Sequence, residues 1–513
     1  MGGCSMAVRR FAVIDVGSYE SEMKIFEVSS KELIEVDHIR HILELGKDTY
    51  RTGSVSFDNI EELCKVLYRF GMIMKEYRVE DYRAKATSAI REAKNSHMVL
   101  DRIRVKTGLD VKVLSNSEQR FLCLKALAYK ADEFNKMIQK PTAIVDVTSG
   151  SVQISLYDKD VLVTTQNIRL GSLRLREMLD QKELDWQHMG SIMEELINND
   201  FETFQKMFLK EKEIKNIIAV GDYIAYFTRF AQKEESAFLN REEFMEFYRK
   251  LEGLSAVQVA GKLNIPVEHA SLLIPSLLIY KKALDYTQTE VLWAPGVRLC
   301  DGIAASYAQK HCNVNFSHDF VKDILNTSYN LAKRYKGNIG HTELLEIGST
   351  AIYDAMKKYH GLGKRERLLL QIATILHDCG KYISITQPGE CSYNIIMATE
   401  IIGLSHNERE IVANVVRYNT REFDYKSGTD KTMSNTMYLT VAKLTAILRI
   451  ANAMDRSHRQ KLKKMKIFLK QEELVIQVET LEDISLELAL FSQKADFFEE
   501  VYGVRPVLKR IFR

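Results

Sequence analysis

Ala12-Val-Ile-Asp-Val-Gly-Ser18 and Ala143-Ile-Val-Asp-Val-Thr-Ser-Gly-Ser151 are two copies of one sequence pattern. In each copy an apolar stretch typical of a β-strand leads to an aspartate, Asp15 or Asp146. A turn of small residues follows the aspartate. A tight turn after a buried strand points backbone N–H groups outward, and the aspartate is placed to hold a hydrated divalent cation. One copy alone is usually just a strand and a turn, but two facing copies predict a phosphate clamp.

The composition is that of an ordinary globular protein. The chain has 513 residues, of which 46% are hydrophobic and 27% charged. That length exceeds what one hydrophobic core usually supports, so about two to four domains are expected. The net charge of +3 gives no general electrostatic reason for binding nucleic acid or a membrane.

Cysteine usage and hydropathy predict a cytoplasmic protein with no membrane partner. The seven cysteines are scattered and odd in number, which argues against a disulfide framework or a zinc knuckle. No apolar run approaches the roughly 20 residues that span a bilayer. The stretch from Met1 to Arg10 lacks the apolar core of a signal peptide.

Strand and helix patterns alternate in two successive halves. The first half predicts strands at 11–16, 22–28, 33–42, 83–87 and 111–114, with helices at 56–77 and from about 115 to 129. The second half predicts strands at 143–148, 151–157, 161–169 and 214–220, with helices at 172–180 and 188–208. This order predicts two α/β domains around a cleft, with ligands at the strand ends.

The strand pattern stops near residue 317, and amphipathic helical patterns run to about Ala453 before a short β-rich tail from about 466. We therefore predict three domains. They are a first α/β domain at 1–130, a second at 131–310, and an all-α domain with a small β-containing tail at 311–513.

Six segments carry a family resemblance: Ala12–Ser18, Ala86-Thr-Ser-Ala-Ile-Arg-Glu-Ala-Lys-Asn95, Ser115-Asn-Ser-Glu-Gln-Arg120, Asp146-Val-Thr-Ser-Gly-Ser151, Leu170-Gly-Ser-Leu-Arg-Leu175 and Gly221. In order and approximate spacing they resemble the motifs of the exopolyphosphatase and guanosine pentaphosphate phosphohydrolase family (Ppx/GppA). The resemblance spans nearly the whole chain. It implies a duplicated fold of the actin/sugar-kinase type and hydrolysis of the terminal phosphoanhydride of polyphosphate or guanosine pentaphosphate. A homodimer is a candidate assembly.

The resemblance also implies roles for particular residues. Asp15 and Asp146 would hold Mg²⁺, and the phosphates would be cradled by Gly17, Ser18, Ser149, Gly150, Ser151 and Gly221. Arg91 would offset phosphate charge, unless it is an ordinary surface arginine.

The family's candidate base is a glutamate in the segment Ser-Gly-x-Glu-Glu-Ala-Arg. A one-residue shortening places Glu118 on that carboxylate, which is the register we favour, whereas a gapless match places Gln119 there. Glu118 could also be a first-turn glutamate favoured by the helix dipole alone. As a base it would contribute roughly 10² to 10⁴ to the rate.

Several positions depart from the family pattern. Asp146-Val-Thr-Ser-Gly-Ser-Val-Gln153 lacks two glycines and the final glutamate of the corresponding family segment. Asp222 follows Gly221 where the family has a second glycine, and a carboxylate at a phosphate turn is unfavourable unless it takes a metal. These changes put turnover in doubt.

The helical part holds a second constellation, composed of His341, the pair His377-Asp378, and Asp455. It resembles the ligand set of HD-type metal phosphohydrolases, which suits a second divalent metal ion. The alternative is an HD-like scaffold kept for packing or binding.

Three functions follow from these patterns. The first is a Mg²⁺-dependent phosphatase of polyphosphate or guanosine pentaphosphate. The second is a regulatory protein that binds such a ligand but has lost efficient chemistry, and the third is an HD-type metal hydrolase.

Overall fold

The chain forms two compact units, Met1–Phe320 and Val321–Arg513. The computed structural model describes residues 9–29, 32–180, 186–209, 213–232, 237–312, 314–425, 433–462 and 464–511.

The first unit contains two mixed β-sheets. The strands of the first sheet are β1 (Arg9–Val16), β2 (Glu20–Val28), β3 (Leu33–Ile42), β4 (Asp81–Ala86) and β5 (Val111–Val113). Those of the second are β6 (Thr142–Val147), β7 (Val152–Asp158), β8 (Val161–Ile168), β9 (Asn216–Gly221), β10 (Phe238–Asn240) and β11 (Val291–Trp293).

Five strands of the second sheet repeat the topology of the first sheet, and β10 is an additional strand at its edge. The first has the order β3-β2-β1-β4-β5, and the second has the order β8-β7-β6-β9-β11-β10. In each sheet the strand that ends in the repeated aspartate pairs antiparallel with the next strand and parallel with a later one. The sequence repeat is therefore a repeat of the fold, with β1 and β6 in equivalent places.

Helices cover these sheets. They are α1 (Leu45–Thr52), α2 (Phe57–Glu76), α3 (Ser88–Glu92), α4 (Ser96–Thr107), α5 (Asn116–Tyr129), α6 (Ala131–Ile138), α7 (Ser172–Asp180), α8 (Trp186–Phe204), α9 (Ile224–Phe230), α10 (Arg241–Leu251), α11 (Ala256–Leu263), α12 (Val267–Thr287) and α13 (Leu299–His311). A π-helical turn at Gln205–Leu209 follows α8. Ser56 caps the start of α2, since its hydroxyl accepts the Asn59 N–H at 3.4 Å.

Helix α13 shows that the chain does not divide at residue 130. Its buried face, including Ile303 and Tyr307, packs on the outward face of β1 and β2 at Phe11 and Phe26. The Phe11 and Tyr307 rings stack with centroids 3.7 Å apart. The prediction of 131–310 as one separate domain therefore changes, because the end of the second half covers an apolar face of the first sheet.

The second unit is mainly helical. Its helices are α14 (Phe320–Arg334), α15 (Ile339–Ala355), α16 (Lys357–His360), α17 (Lys364–Leu376), α18 (Pro388–Ala398), α19 (His406–Thr420), α20 (Asn435–Ala453) and α21 (Ser485–Tyr502). A 3₁₀ turn lies at Cys379–Tyr382. The strands β12 (Lys464–Lys470), β13 (Glu473–Glu479) and β14 (Arg505–Ile511) form one sheet in that order.

No single helix in the described ranges is long and apolar enough to cross a membrane. The pair α11 and α12, bent by 102°, meets the criteria of length and composition only when taken together. Much of α12 is buried in the core of the first unit.

Helices α5 and α13 approach each other so closely that the contact requires glycine. A Cβ at Gly302 would lie 1.9 Å from the backbone oxygen of Leu122. We expect Gly302→Ala to lower the stability of the first unit by about 1–3 kcal/mol, since the helices must move apart. The check is the midpoint of thermal unfolding, which is monitored by circular dichroism.

Gly261→Ala is the matched control. Gly261 is an exposed glycine in α11, and a Cβ there would meet no atom within 4 Å. Alanine has the higher helix propensity, so this variant should gain up to about 1 kcal/mol. Equal midpoints for the two variants would contradict the close approach of α5 and α13.

Candidate functional site

The two repeated aspartates line one cleft in the first unit. Asp15 and Asp146 both contribute to the wall of this open cleft, whose space free of protein atoms is about 740 Å³ with the solvent at its mouth included. In the sheet register Asp15 lies opposite Glu22, and Asp146 lies opposite Gln153. The two hairpins are equivalent in backbone but unequal in charge.

Both turns close in the same way despite their different sequences. The Gly17 N–H donates to the Glu20 carbonyl at 3.0 Å, and the Thr148 N–H donates to the Ser151 carbonyl at 3.0 Å. The Thr148 hydroxyl also accepts the Ser151 N–H at 3.2 Å. Neither Thr148 nor Ser149 has a positive φ, so the loss of two family glycines leaves the turn intact.

Five of the six predicted phosphate-cradling residues line the cleft: Gly17, Ser18, Ser149, Gly150 and Gly221. Ser151 does not line it, because its backbone closes the Thr148 turn. The Ser18 hydroxyl bonds the Ser88 hydroxyl at 2.8 Å and accepts the Ala89 N–H at 3.1 Å. The first turn is thus tied to the start of α3.

Two of the cleft glycines are required by close contacts. A Cβ at Gly150 would lie 2.3 Å from the Ser88 hydroxyl oxygen. Gly221 has φ +138°, and a Cβ there would lie 2.3 Å from the Val147 carbonyl oxygen. Side chains at these positions would strain the backbone or fill the space where the two hairpins meet the cleft.

Burial dominates the electrostatics of the two aspartates. It raises the pKa of Asp15 well above the usual value, with further contributions from the charges of Glu22 and Asp222. Burial and the charge of Asp222 raise the pKa of Asp146 to about 7. Asp15 Oδ1 has no hydrogen-bond partner among the described residues. A cation in the cleft would stabilise both carboxylates in their charged forms.

Arg298 compensates the other carboxylates of the cleft. Its Nη1 lies 2.8 Å from Asp222 Oδ1 and 3.1 Å from both Glu20 Oε1 and Glu22 Oε2. Although burial opposes it, the hydrogen bond from His38 and the charge of Arg298 lower the pKa of Glu22 to about 2. The sequence argument that Asp222 requires a metal therefore changes, because an arginine neutralises it.

Sequence reasoning missed Glu20, Glu22 and Arg298. The hairpin register offered a signal for Glu22, because a residue directly opposite Asp15 on an antiparallel partner points to the same face. Arg298 lies far along the chain at the start of α13, and nothing in its local sequence marks it.

Glu118 does not line the cleft. Its Oε2 accepts the Ser115 N–H at 2.9 Å while its own N–H donates to the Ser115 hydroxyl at 3.2 Å, which is a capping box at the start of α5. Gln119 lines the cleft instead. The register that assigns the base to Glu118 is therefore replaced by the gapless match, and the Ser-x-x-Glu spacing was the available signal.

Arg91 lies beside Gln119 but does not line the cleft. Its Nη1 donates to the Leu114 carbonyl at 2.8 Å and lies 3.5 Å from Gln119 Oε1. The Arg91 side chain therefore supports the segment that presents Gln119. Its role as a phosphate contact stays a prediction.

The four residues of the helical constellation come together in the second unit. His341 Nδ1 lies 2.8 Å from Asp455 Oδ2, and His377 Nε2 lies 3.3 Å from Asp378 Oδ1. The rings of His341 and His377 have centroids 5.1 Å apart. A fifth residue, His458, stacks on His341 at 3.7 Å and was missed by sequence reasoning, although it follows Asp455 closely.

Comparison with known proteins identifies relatives for both units. The sequence profile of the Ppx/GppA phosphatase family matches residues 24–311, and that of Ppx/GppA phosphatase domain III matches residues 325–494. The chain is 25% identical over 173 residues to Exopolyphosphatase 1 of Mycobacterium tuberculosis and 26% identical over 173 residues to that of Mycobacterium leprae. These alignments cover 33% of this chain and about half the length of each relative.

Solved structures show the same fold. The Ppx/GppA family member of Aquifex aeolicus matches with a TM-score of 0.50 at 21% identity, over 59% of this chain and 99% of that one. An exopolyphosphatase of Cytophaga hutchinsonii matches with a TM-score of 0.53 at 16% identity, over 59% and 98%. The matched part of this chain has the fold of these proteins.

The raised pKa of Asp146 predicts a specific pH dependence of stability. A carboxyl whose folded pKa lies above its unfolded value stabilises the fold when protonated, and that contribution is lost as the pH rises to about 7. We expect Asp146→Asn to gain stability relative to wild type between pH 5 and pH 8 in metal-free buffer. Thermal midpoints across this range provide the check.

Asp58→Asn serves as the control, because Asp58 is an exposed aspartate in the first turn of α2. It should follow the wild-type pH profile. Parallel profiles for Asp146→Asn and wild type would show that Asp146 does not change its proton in this range.

Proposed function

The chain belongs to the Ppx/GppA phosphatase family, and from this premise we propose that its cleft binds Mg²⁺ with the end of an inorganic polyphosphate chain and hydrolyses the terminal phosphoanhydride slowly. The observation that carries the proposal is the placement of Asp15 and Asp146, each at the end of an equivalent strand, in the wall of one cleft.

The cleft suits a hard cation that shares its ligands with a phosphate chain. Mg²⁺ prefers oxygen ligands and is usually held by one or two carboxylates together with substrate phosphates. Asp15 has a buried oxygen that lacks a hydrogen-bond partner within the described part of the chain, and Asp146 lies in the same wall. These two carboxylates are the proposed Mg²⁺ ligands, and the cation would supply the charge that draws terminal phosphates into an otherwise acidic cleft.

The chain's own residues would position the substrate. Phosphoryl transfer depends mainly on orientation and charge stabilisation, and on a group that orients the attacking water. Gly17, Ser149 and Gly150 line the cleft at the two turns, where they would face the phosphate oxygens. We favour polyphosphate over guanosine pentaphosphate as the proposed substrate, because the curated Mycobacterium relatives are named exopolyphosphatases.

The proposal of slow turnover rests on two amides. Gln119 lines the cleft where the gapless match to the family expects a carboxylate, and Gln153 stands opposite Asp146 where the first hairpin has Glu22. A neutral amide can hold a water molecule but cannot accept its proton at ordinary pH. These amides also favour a second candidate, a regulatory protein that binds the phosphate chain without hydrolysing it.

The cellular setting is part of the proposal. All six described cysteines are free, which is compatible with a reducing cytoplasm. A homodimer stays a prediction.

Magnesium binding predicts a change in stability. We expect millimolar Mg²⁺ to raise the thermal midpoint of the wild type at pH 8, because an ion that binds only the folded state stabilises it. Asp15→Asn should abolish this increase, whereas the exposed Asp58→Asn should retain it. An equal increase in all three proteins would place the bound Mg²⁺ elsewhere.

Restoring a carboxylate at position 119 should separate the two candidate functions. We expect Gln119→Glu to raise Mg²⁺-dependent phosphate release from polyphosphate by at least about tenfold, a part of the roughly 10²–10⁴ that a positioned base contributes. Phosphate release is measured alongside polyphosphate binding by the same protein.

Glu118→Gln is the matched neighbour. Because Glu118 caps α5, its replacement should leave phosphate release unchanged and cost at most about 1 kcal/mol of stability. Wild-type binding without detectable release would support the regulatory candidate. Loss of activity in Glu118→Gln would return the base to that residue.

A further inference from the structure

The first hairpin brings a second buried carboxylate to the wall of the cleft. Glu22 on β2 lies directly opposite Asp15 on β1, and both residues line the cleft. Residues opposite each other on antiparallel strands point to the same face, with Cβ atoms about 4.5–5.5 Å apart. Glu22 is only 4% exposed, and Asp15 Oδ1 is buried without a hydrogen-bond partner among the described residues. Two carboxylates are therefore held side by side in a place with little water.

The two oxygens of Glu22 have different surroundings. Oε2 accepts a hydrogen bond from Arg298 Nη1 at 3.1 Å and lies 2.8 Å from His38 Nε2. Oε1 has no hydrogen-bond partner in the described part of the chain. In Glu20, by contrast, both carboxylate oxygens accept hydrogen bonds from Arg40. The Glu22 carboxylate is thus oriented through one oxygen, and its other oxygen is available to a ligand.

The nature of that ligand follows from the charge of Glu22. Two donors at Oε2 stabilise the carboxylate in its charged form, so it is a poor acceptor of a proton from water. Its free oxygen lies in a side chain that neighbours another carboxylate, that of Asp15. Two neighbouring carboxylates repel each other, and a cation that contacts both removes this repulsion.

The other positions in register with the two aspartates do not supply such a carboxylate. On the other side of β1, Lys85 lies opposite Asp15, but it does not line the cleft. In the second hairpin, Gln153 lies opposite Asp146, its Oε1 accepts from Arg120 at 3.2 Å, and it does not line the cleft either. The paired strand ends of the first hairpin therefore present two carboxylates to the cleft, whereas those of the second present one.

We propose that Glu22 contributes a carboxylate to the proposed Mg²⁺ site and shares the ion with Asp15. This inference rests on the proposed function, because it adds a ligand for the same cation. Mg²⁺ prefers oxygen ligands, and Glu22 offers one that no other described residue engages. The first hairpin then supplies two carboxylates to the ion, and the second supplies Asp146.

The test is binding of Mn²⁺, which takes the same oxygen ligands as Mg²⁺ and is detected by electron paramagnetic resonance. The full-length wild type and Glu22→Gln are titrated with Mn²⁺ at pH 8, and only the Mn²⁺ that Mg²⁺ displaces is counted. Glutamine keeps one oxygen for the donors at Arg298 and His38 but replaces the other oxygen by an NH₂ group. We expect the dissociation constant for this Mn²⁺ to rise at least about tenfold in Glu22→Gln.

Two further variants control the experiment. Glu27→Gln is the matched change on the same strand, since Glu27 pairs with Arg10 at 3.1 Å and does not line the cleft. It should bind Mn²⁺ as the wild type does. Glu22→Asp keeps the charge but withdraws the oxygens by one methylene, so its affinity for Mn²⁺ should lie between those of the wild type and Glu22→Gln. Circular dichroism checks that each variant is folded.

The outcomes separate this inference from the proposed function. The inference is wrong if the folded variants at position 22 bind Mn²⁺ as tightly as the wild type while Asp15→Asn binds it more weakly. The cleft would then still hold the proposed ion without Glu22. Both proposals are wrong if the wild type binds no Mn²⁺ that Mg²⁺ displaces, or if Asp15→Asn and Glu22→Gln both bind it as tightly as the wild type.

Discussion

The packing of the first unit depends on the compensation of several acidic side chains that lie together beside Arg298. Arg298 contacts Glu20, Glu22 and Asp222 and thereby offsets much of their desolvation. It does not contact the two repeated aspartates, whose pKa values are raised. Arg298 thus compensates the charges of Glu20, Glu22 and Asp222. The two aspartates at the strand ends are not among its partners. That imbalance is the physical basis of the proposed Mg²⁺ site.

The two hairpins have equivalent strand pairing, but their side chains differ in charge. The first copy pairs Asp15 with a glutamate, and the second pairs Asp146 with Gln153, whose Oε1 accepts from the buried Arg120 at 3.2 Å. A glutamate in place of Gln153 would introduce another negative charge near Asp146. The amide maintains the packing with less electrostatic cost. Gln119 is a second neutral amide, and it lies in the wall of the cleft, so that position offers no carboxylate to accept a proton.

The two units present different chemistry to metal ions. The cleft offers carboxylate oxygens, whereas the cluster in the second unit offers imidazole nitrogens and one carboxylate. Hard oxygen ligands favour Mg²⁺, and imidazoles favour transition metals. Arg298 pairs with the acids beside the two cleft aspartates, and Asp455 accepts the Nδ1–H of His341 in the second unit. In both places a buried polar side-chain atom has no hydrogen-bond partner among the described residues: Asp15 Oδ1 in the cleft, and Nε2 of His341 and His377 in the cluster.

The sequence by itself determined the repeated strand, aspartate and turn, the alternation of strands and helices, and the residues that would gather in the helical part. These are local patterns of period and turn chemistry. Tertiary structure decided that α13 packs on the first sheet, that Arg298 meets three acids, and that Gln119 rather than Glu118 lines the cleft. Neighbouring helical residues point about 100° apart, so a one-residue ambiguity in register exchanges the side chain in a site. Local sequence patterns do not predict contacts between residues that lie far apart in the chain.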